Sequence, residues 1–151
     1  MRRVLVPLLL SLAMLVAAGS AHAAIVPGKS IAGVKLLMTQ QQVKNLLGEP
    51  VETITGSNEF GEFTVFKYRR LRVTFQGNAN VTAVKTTRRS ERTSKGIGVG
   101  STRAQVKKRV TNVVCERRIC TKGRLEPGRR VTVFRIFHRR VTSVLVGFVI
   151  D

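Results

Sequence analysis

The chain repeats itself. Residues 33–47 (GVKLLMTQQQVKNLL) are echoed at 96–110 (GIGVGSTRAQVKKRV), which pairs Gly33 with Gly96, Val34 with Ile97, Leu36 with Val99, Thr39 with Thr102, Val43 with Val106 and Lys44 with Lys107. Residues 64–67 (TVFK) recur at 132–135 (TVFR), and 81–84 (VTAV) recur at 141–144 (VTSV). Self-similarity at a fixed spacing constrains a fold more than any single motif, because units that read alike must bury like faces. The two later matches run at different offsets, 68 residues for TVFK/TVFR and 60 for VTAV/VTSV. Either the second unit lacks a strand, or 71–75 is the counterpart of 131–135; spacing alone leaves both open.

Each unit opens with a helix signal. Thr39 is placed as an N-cap, Gln42 stands three residues on as a capping-box partner, and Met38 can staple onto Val43. Val43, Leu46 and Leu47 form the apolar stripe, Gly48 ends the helix and Pro50 prevents its resumption. The second unit repeats the logic with Thr102, Gln105, Val106 and Val110, but Ser101 replaces the staple residue. Helices of about two turns are marginal alone and need a surface to pack on.

That surface reads as sheet. Strands are expected over 63–68, 71–75 and 81–87, with Arg69-Arg70 and 76–80 (QGNAN) as turns. Leu71, Val73 and Phe75 alternate with Arg72 and Thr74, the pattern of a half-buried strand. In the second unit, 131–137 and 141–150 are strands joined across 138–140, with Val144, Val146, Phe148 and Ile150 on one face. Residues 113–115 and 119–121 form a small hairpin. The expected fold class is α+β, as two tandem repeats, about 29–87 and 96–150, each with a short helix or helices packed on an antiparallel sheet. The apolar-free stretch 86–95 (TTRRSERTSK) reads as the basic linker between them.

The first 23 residues read as a signal peptide. Arg2 and Arg3 precede an almost unbroken apolar run from Val4 to Val16, and Ala21-His22-Ala23 fits a small-x-small cleavage site, so cleavage is expected after Ala23. The run is shorter than the roughly 20 residues a spanning helix needs, so the product is expected not to span a membrane. The remaining 24–151 suit a single exported domain, placed outside the cell, in the periplasm or on the envelope. Cys115 and Cys120 are the only cysteines, and in an oxidising compartment they form one structural disulfide. Their C-x4-C spacing is not the C-x-x-C of thiol oxidoreductases.

The pattern G-V-x-x-x-x-T-x-x-x-V-x-x-L-L-G-x-P, followed by short strands ending in V-T-x-V, resembles the SmpA/OmlA (BamE-like) modules of the bacterial envelope. Gly33, Val34, Thr39, Val43, Leu46, Leu47, Gly48 and Pro50 carry it in the first unit. Gly96, Ile97, Thr102, Val106 and Val110 carry it in the second, without the closing Gly-x-Pro. Two such modules in one exported chain resemble the tandem arrangement of the β-lactamase-inhibitor-protein-like (BLIP-like) fold. The resemblance implies helices on an antiparallel sheet in each unit, and a protein-binding role. The envelope modules carry a lipid-attachment cysteine that this chain lacks. The inhibitors bind through aromatic residues, whereas here there is no tryptophan and one tyrosine, Tyr68.

Acid–base chemistry has little to work with. After signal removal His138 is the single histidine and Asp151 the single aspartate, and His138 falls in an expected turn. Glu59 and Glu62 read as solvated residues before a strand. No His, Cys or carboxylate cluster suggests a metal, and no cofactor motif is present. Gly96, Gly98 and Gly100 lead into the second helix, but no strand–G-x-G-x-x-G or G-K-[ST] accompanies them, so loop packing is the reading rather than a phosphate cradle. The expectation is a non-enzyme.

Charge points to partners instead. The chain has 27 Lys and Arg against 8 Asp and Glu. Residues 24–86 carry a net of +4 and residues 87–151 a net of +13. The candidate anion or partner surface comprises Arg88, Arg89, Arg92 and Lys95 in the linker, Lys107, Lys108 and Arg109 on the second helix, Arg117 and Arg118 between the cysteines, and Arg139 and Arg140 in a turn. These clusters lack interleaved aromatics, which disfavours specific nucleic-acid recognition. The expected partner is a protein, bound through the sheet or the basic loops. The alternative is an anionic envelope polymer or membrane surface.

Overall fold

The computed structural model describes residues 24–150. The expected signal segment 1–23 lies outside them, as does Asp151. Three two-residue strands, β1 (Ile25–Val26), β2 (Ser30–Ile31) and β3 (Val34–Lys35), pair in order as a small antiparallel sheet. Helix α1 (Gln40–Leu47) leads into β4 (Glu52–Asn58), β5 (Gly61–Tyr68), β6 (Leu71–Gln76) and β7 (Ala83–Thr86). Helix α2 (Arg103–Arg109) leads into β8 (Val113–Glu116), β9 (Ile119–Lys122), β10 (Arg130–Phe137) and β11 (Arg140–Phe148). The architecture is thus mostly antiparallel sheet with two short helices.

Both helices start as their caps dictate. Thr39 Oγ1 accepts the Gln42 N–H at 3.2 Å, and Gln42 Oε1 accepts the Thr39 N–H at 2.9 Å. Thr102 and Gln105 make the same reciprocal pair at 3.1 and 2.8 Å. Each box satisfies two of the donors that a helix start leaves open. Gly48 closes α1 at φ 82°, donating to the Lys44 carbonyl. Val43 and Val106 are the buried anchors of the two helices. Leu46 departs from the expected stripe: it is 48% exposed and lies over Gly33 instead of entering the core. Val43 and Leu47, one turn apart, take the side that meets the core, which leaves Leu46 at the flank over Gly33.

The eight longer strands form one sheet in the order β4-β5-β6-β7-β11-β10-β9-β8. Each half is a helix followed by a four-stranded meander, and the halves join through their last strands. Lys85 pairs with Leu145, flanked by Val84 with Val146 and Thr86 with Val144. At an offset of 60 residues Lys85 corresponds to Leu145, so exchanging the halves leaves this register unchanged. The pairing also shows where the echoed segments lie in the sheet. TVFK lies on β5, two strands from the joint, whereas TVFR lies on β10, one strand from it. The place beside β11 taken by β10 is taken beside β7 by β6: Val73 faces Val84 as Phe134 faces Val144. By place beside the joint, 71–75 thus stand as 132–136 do, one residue further along than the 131–135 of the echo.

One core serves both halves. Val43, Val106, Ile25 and Ile31 pack with Phe66, Phe75, Val84, Phe134 and Val146 in a single buried cluster. The rings of Phe66 and Phe75 meet edge-on at 4.8 Å. Helices and small sheet thus cover one face of the large sheet. Strand β4 gave no sequence signal, because it is an edge strand on which only Ile54 is even half-buried. Ile150, expected on one face with Val144, Val146 and Phe148, lies beyond the end of β11 and is exposed.

Candidate binding face

Residues 86–95 join the halves as a packed segment. Thr86, Glu91 and Thr93 are buried, and the Arg92 carbonyl accepts the Ile25 N–H. Arg88 pairs with Glu91 at 3.1 Å and donates through Nε to the Arg69 carbonyl at 2.8 Å. The Arg92 guanidinium reaches the carbonyls of Arg89, Gly96 and Val99 and the Ser101 hydroxyl, each at 3.2 Å. These two cations hold the connection together. Arg89 and Lys95 are exposed. A side chain at Gly98 would collide with the Glu91 carbonyl oxygen, which gives the glycine before α2 a packing reason.

The remaining predicted cations lie apart from that segment. Lys107, Lys108 and Arg109 are exposed along the last turn of α2, where positive charge suits the helix dipole. Arg117 and Arg118 form the tip of the β8–β9 hairpin, which the Cys115–Cys120 disulfide clips. Arg103 ties α2 to that hairpin, donating to the carbonyls of Arg117 at 2.8 Å and Cys115 at 2.9 Å. Arg118 stands 5.8 Å over the Phe137 ring. His138 and Arg139 make the β10–β11 turn at φ 46° and 64°, the left-handed pair of a type I′ hairpin, and both are exposed. Arg140 donates to the Gly100 carbonyl at 2.9 Å. Glu59 is exposed in the β4–β5 turn, and Glu62 accepts from Asn78 at 3.1 Å.

A feature missed in the sequence lies on the sheet's other face. One row of paired residues crosses it: Glu52, Lys67, Arg72, Lys85, Leu145, Val133, Thr121 and Val114. Its β5–β7 part is basic and its β8–β11 part carries three aliphatic side chains. Lys67 makes an ion pair with Glu52 at 2.9 Å. Both helices and the small sheet have their buried residues in the core on the opposite side. The alternation of Leu71, Val73 and Phe75 with Arg72 already places Arg72 on this face; cross-strand register was needed to align it with Lys67 and Lys85.

No protein-family model matches this chain, SmpA/OmlA models included, and no curated protein matches its sequence. Similar solved structures include an extracellular protein containing a SCP domain from Bacillus anthracis str. Ames, with a TM-score of 0.52 and 9% identity over 75% of this chain. This chain spans 44% of that protein. A second is a DUF4309 family protein from Bacillus subtilis subsp. subtilis str. 168, with a TM-score of 0.44 and 16% identity, covering 73% of this chain and 78% of that one. The first likeness is one of fold alone.

One further group bears on the site's surroundings. Burial, followed by the nearby Glu49 carboxylate, pushes the Tyr68 hydroxyl above its ordinary pKa of 10.0; that hydroxyl donates to the Gly48 carbonyl at 3.0 Å. Among the described residues, no helix is long and apolar enough to cross a membrane.

Proposed function

We propose that this chain is an exported, non-enzymatic binding module that docks a partner protein on the open face of its eight-stranded sheet. One observation carries the reading: the cross-sheet row runs from Lys67, Arg72 and Lys85 into Leu145 and Val133, and among the described residues both helices bury their anchors on the opposite side. A surface with an apolar centre beside fixed cations fits a partner presenting aliphatic side chains next to carboxylates. The signal-peptide pattern, and a disulfide suited to an oxidising compartment, support export. We read the two halves as tandem copies, from the residue echoes and the exchangeable β7–β11 register. That reading accords with the SmpA/OmlA and BLIP-like resemblance in the sequence.

The test is retention of a purified partner from the native envelope fraction, washed at low salt and at 1 M salt. A partner docked on Leu145 and Val133 survives 1 M salt and is lost on Leu145→Asp, while Arg72→Glu with Lys85→Glu slows its capture. A second reading, electrostatic binding to anionic polymers or membrane surfaces, draws on the +13 charge of residues 87–151. It replaces the first if all binding vanishes at 1 M salt, where the Debye length is about 3 Å, and Leu145→Asp leaves it unchanged.

A further inference from the structure

A groove of about 630 Å³ lies at the β8–β9 end of the open face. Ile119 and Thr121 line it from β9, Val114 faces Thr121 from β8, and Gly123 and Leu125 continue the wall beyond the bend that follows Lys122. Leu125 is 70% and Val114 63% exposed, an expense of apolar surface that an isolated hairpin does not need. Arg117 and Arg118 stand at the hairpin-tip end; Glu116 is the single acidic residue in the lining. Volume, apolar walls and cations confined to one end match the general form of a small-ligand site.

From this geometry we propose that the groove binds one long-chain fatty acid, its acyl chain along Ile119, Val114 and Leu125 and its carboxylate at Arg117 and Arg118. The floor argues for an acyl chain over a peptide. Strand β9 is paired on both sides, with β8 and β10, so its backbone N–H and C=O groups are already used. A peptide laid on this floor would leave its own amides without partners, a cost that a hydrocarbon chain does not incur. Charge fixes the direction: two guanidiniums at one end attract a carboxylate and outnumber Glu116. Arg118 is further held by its seat over Phe137. The proposal goes beyond the docking of a protein partner and stands on different residues from Lys67, Arg72 and Leu145.

The experiment uses the protein as exported and cis-parinaric acid, a fluorescent 18-carbon carboxylate, below its aggregation concentration. Saturable enhancement at one site per chain is expected, reversed by oleate at least tenfold more effectively than by oleyl alcohol. Leu125→Asp is expected to weaken binding at least tenfold, with an unchanged circular dichroism spectrum because the residue is exposed. Arg117→Glu with Arg118→Glu is expected to abolish the preference for oleate over oleyl alcohol. Absence of saturable enhancement overturns the proposal, as does binding insensitive to Leu125→Asp. Equal displacement by acid and alcohol overturns the carboxylate assignment. Binding to phosphatidylglycerol vesicles without binding to the free acid overturns it in favour of a membrane surface. None of these results depends on Leu145→Asp, which tests protein docking separately.

Discussion

Beside Val84 in the first half stands Val73; beside Val144, at the matching place in the second half, stands Phe134. Along the same two strands Leu71 and Phe75 match Thr132 and Ile136. The first half puts its bulk at the two outer positions, the second at the middle one and at Ile136, so volume is redistributed while the buried pattern is kept. Thr132 has its own reason: its hydroxyl accepts the Gly28 N–H at 2.7 Å, anchoring the small sheet's first turn to the second half. Positions that stand alike beside the joint therefore share a face and a depth, while side-chain identity answers to what each half meets.

The largest expected effect tests whether the halves are one unit. Phe75→Ala and Phe134→Ala, both fully buried, should each cost about 3–5 kcal/mol. Because one cluster holds both, each should shift a single cooperative transition in denaturant. Two separate transitions, each sensitive to one substitution, would break the shared core.

The entry into the helices gives a sharper contrast. Lys35 stands in the first half where Gly98 stands in the second, and only Gly98 faces the Glu91 carbonyl. Gly98→Ala should destabilise by roughly 1–3 kcal/mol, as overpacking does, measured by urea denaturation. Lys35→Ala, at an exposed site, should stay within about 0.5 kcal/mol. Equal effects would remove the packing reason for the glycine.

The disulfide belongs to the second half alone. Replacing Cys115 and Cys120 by Ser should cost about 2 kcal/mol, the chain-entropy value for so short a loop. Thiol-adduct mass spectrometry of the native protein should find no modification until reduction. Adducts before reduction would show the pair to be open.

The smallest effect belongs to the first half. With the Tyr68 pKa raised in the folded chain, its contribution to stability is complete below pH 10.0 and is lost as pH rises through the higher folded value. The folded state holds the proton longer than the unfolded one, so unfolding free energy should fall with pH across that window. Tyr68→Phe should flatten this part of the stability–pH curve; an unchanged slope would show that another group sets it.

Much of the fold was legible because much of it is local. A threonine three residues before a glutamine, ahead of an apolar stripe, specifies a helix start wherever it occurs, and both boxes formed. Alternation specified β6 and most of β11 in the same way. Strand β4 was illegible because an edge strand with one half-buried residue leaves no periodic trace. The basic surface was legible in composition but not in use: Arg88 and Arg92 read as part of an anion or partner surface, yet both donate to backbone carbonyls within the molecule. The row of Lys67, Arg72 and Lys85 spans three strands, and no window of sequence brings them together.

The sequence by itself determined the caps, the turns, the cysteine pair, the paired echoes and which residues of a strand share a face. Each depends on hydrogen bonds or side-chain periods reaching only a few residues. The tertiary structure alone decided that the two halves share one sheet, that β6 lies beside β7 as β10 lies beside β11, and that the 86–95 connection is packed. It alone placed a basic row against an aliphatic one on the uncovered face. Those outcomes turn on pairings between residues about 60 positions apart, such as Lys85 with Leu145. They were selected by burying one common core, a condition that local sequence does not express.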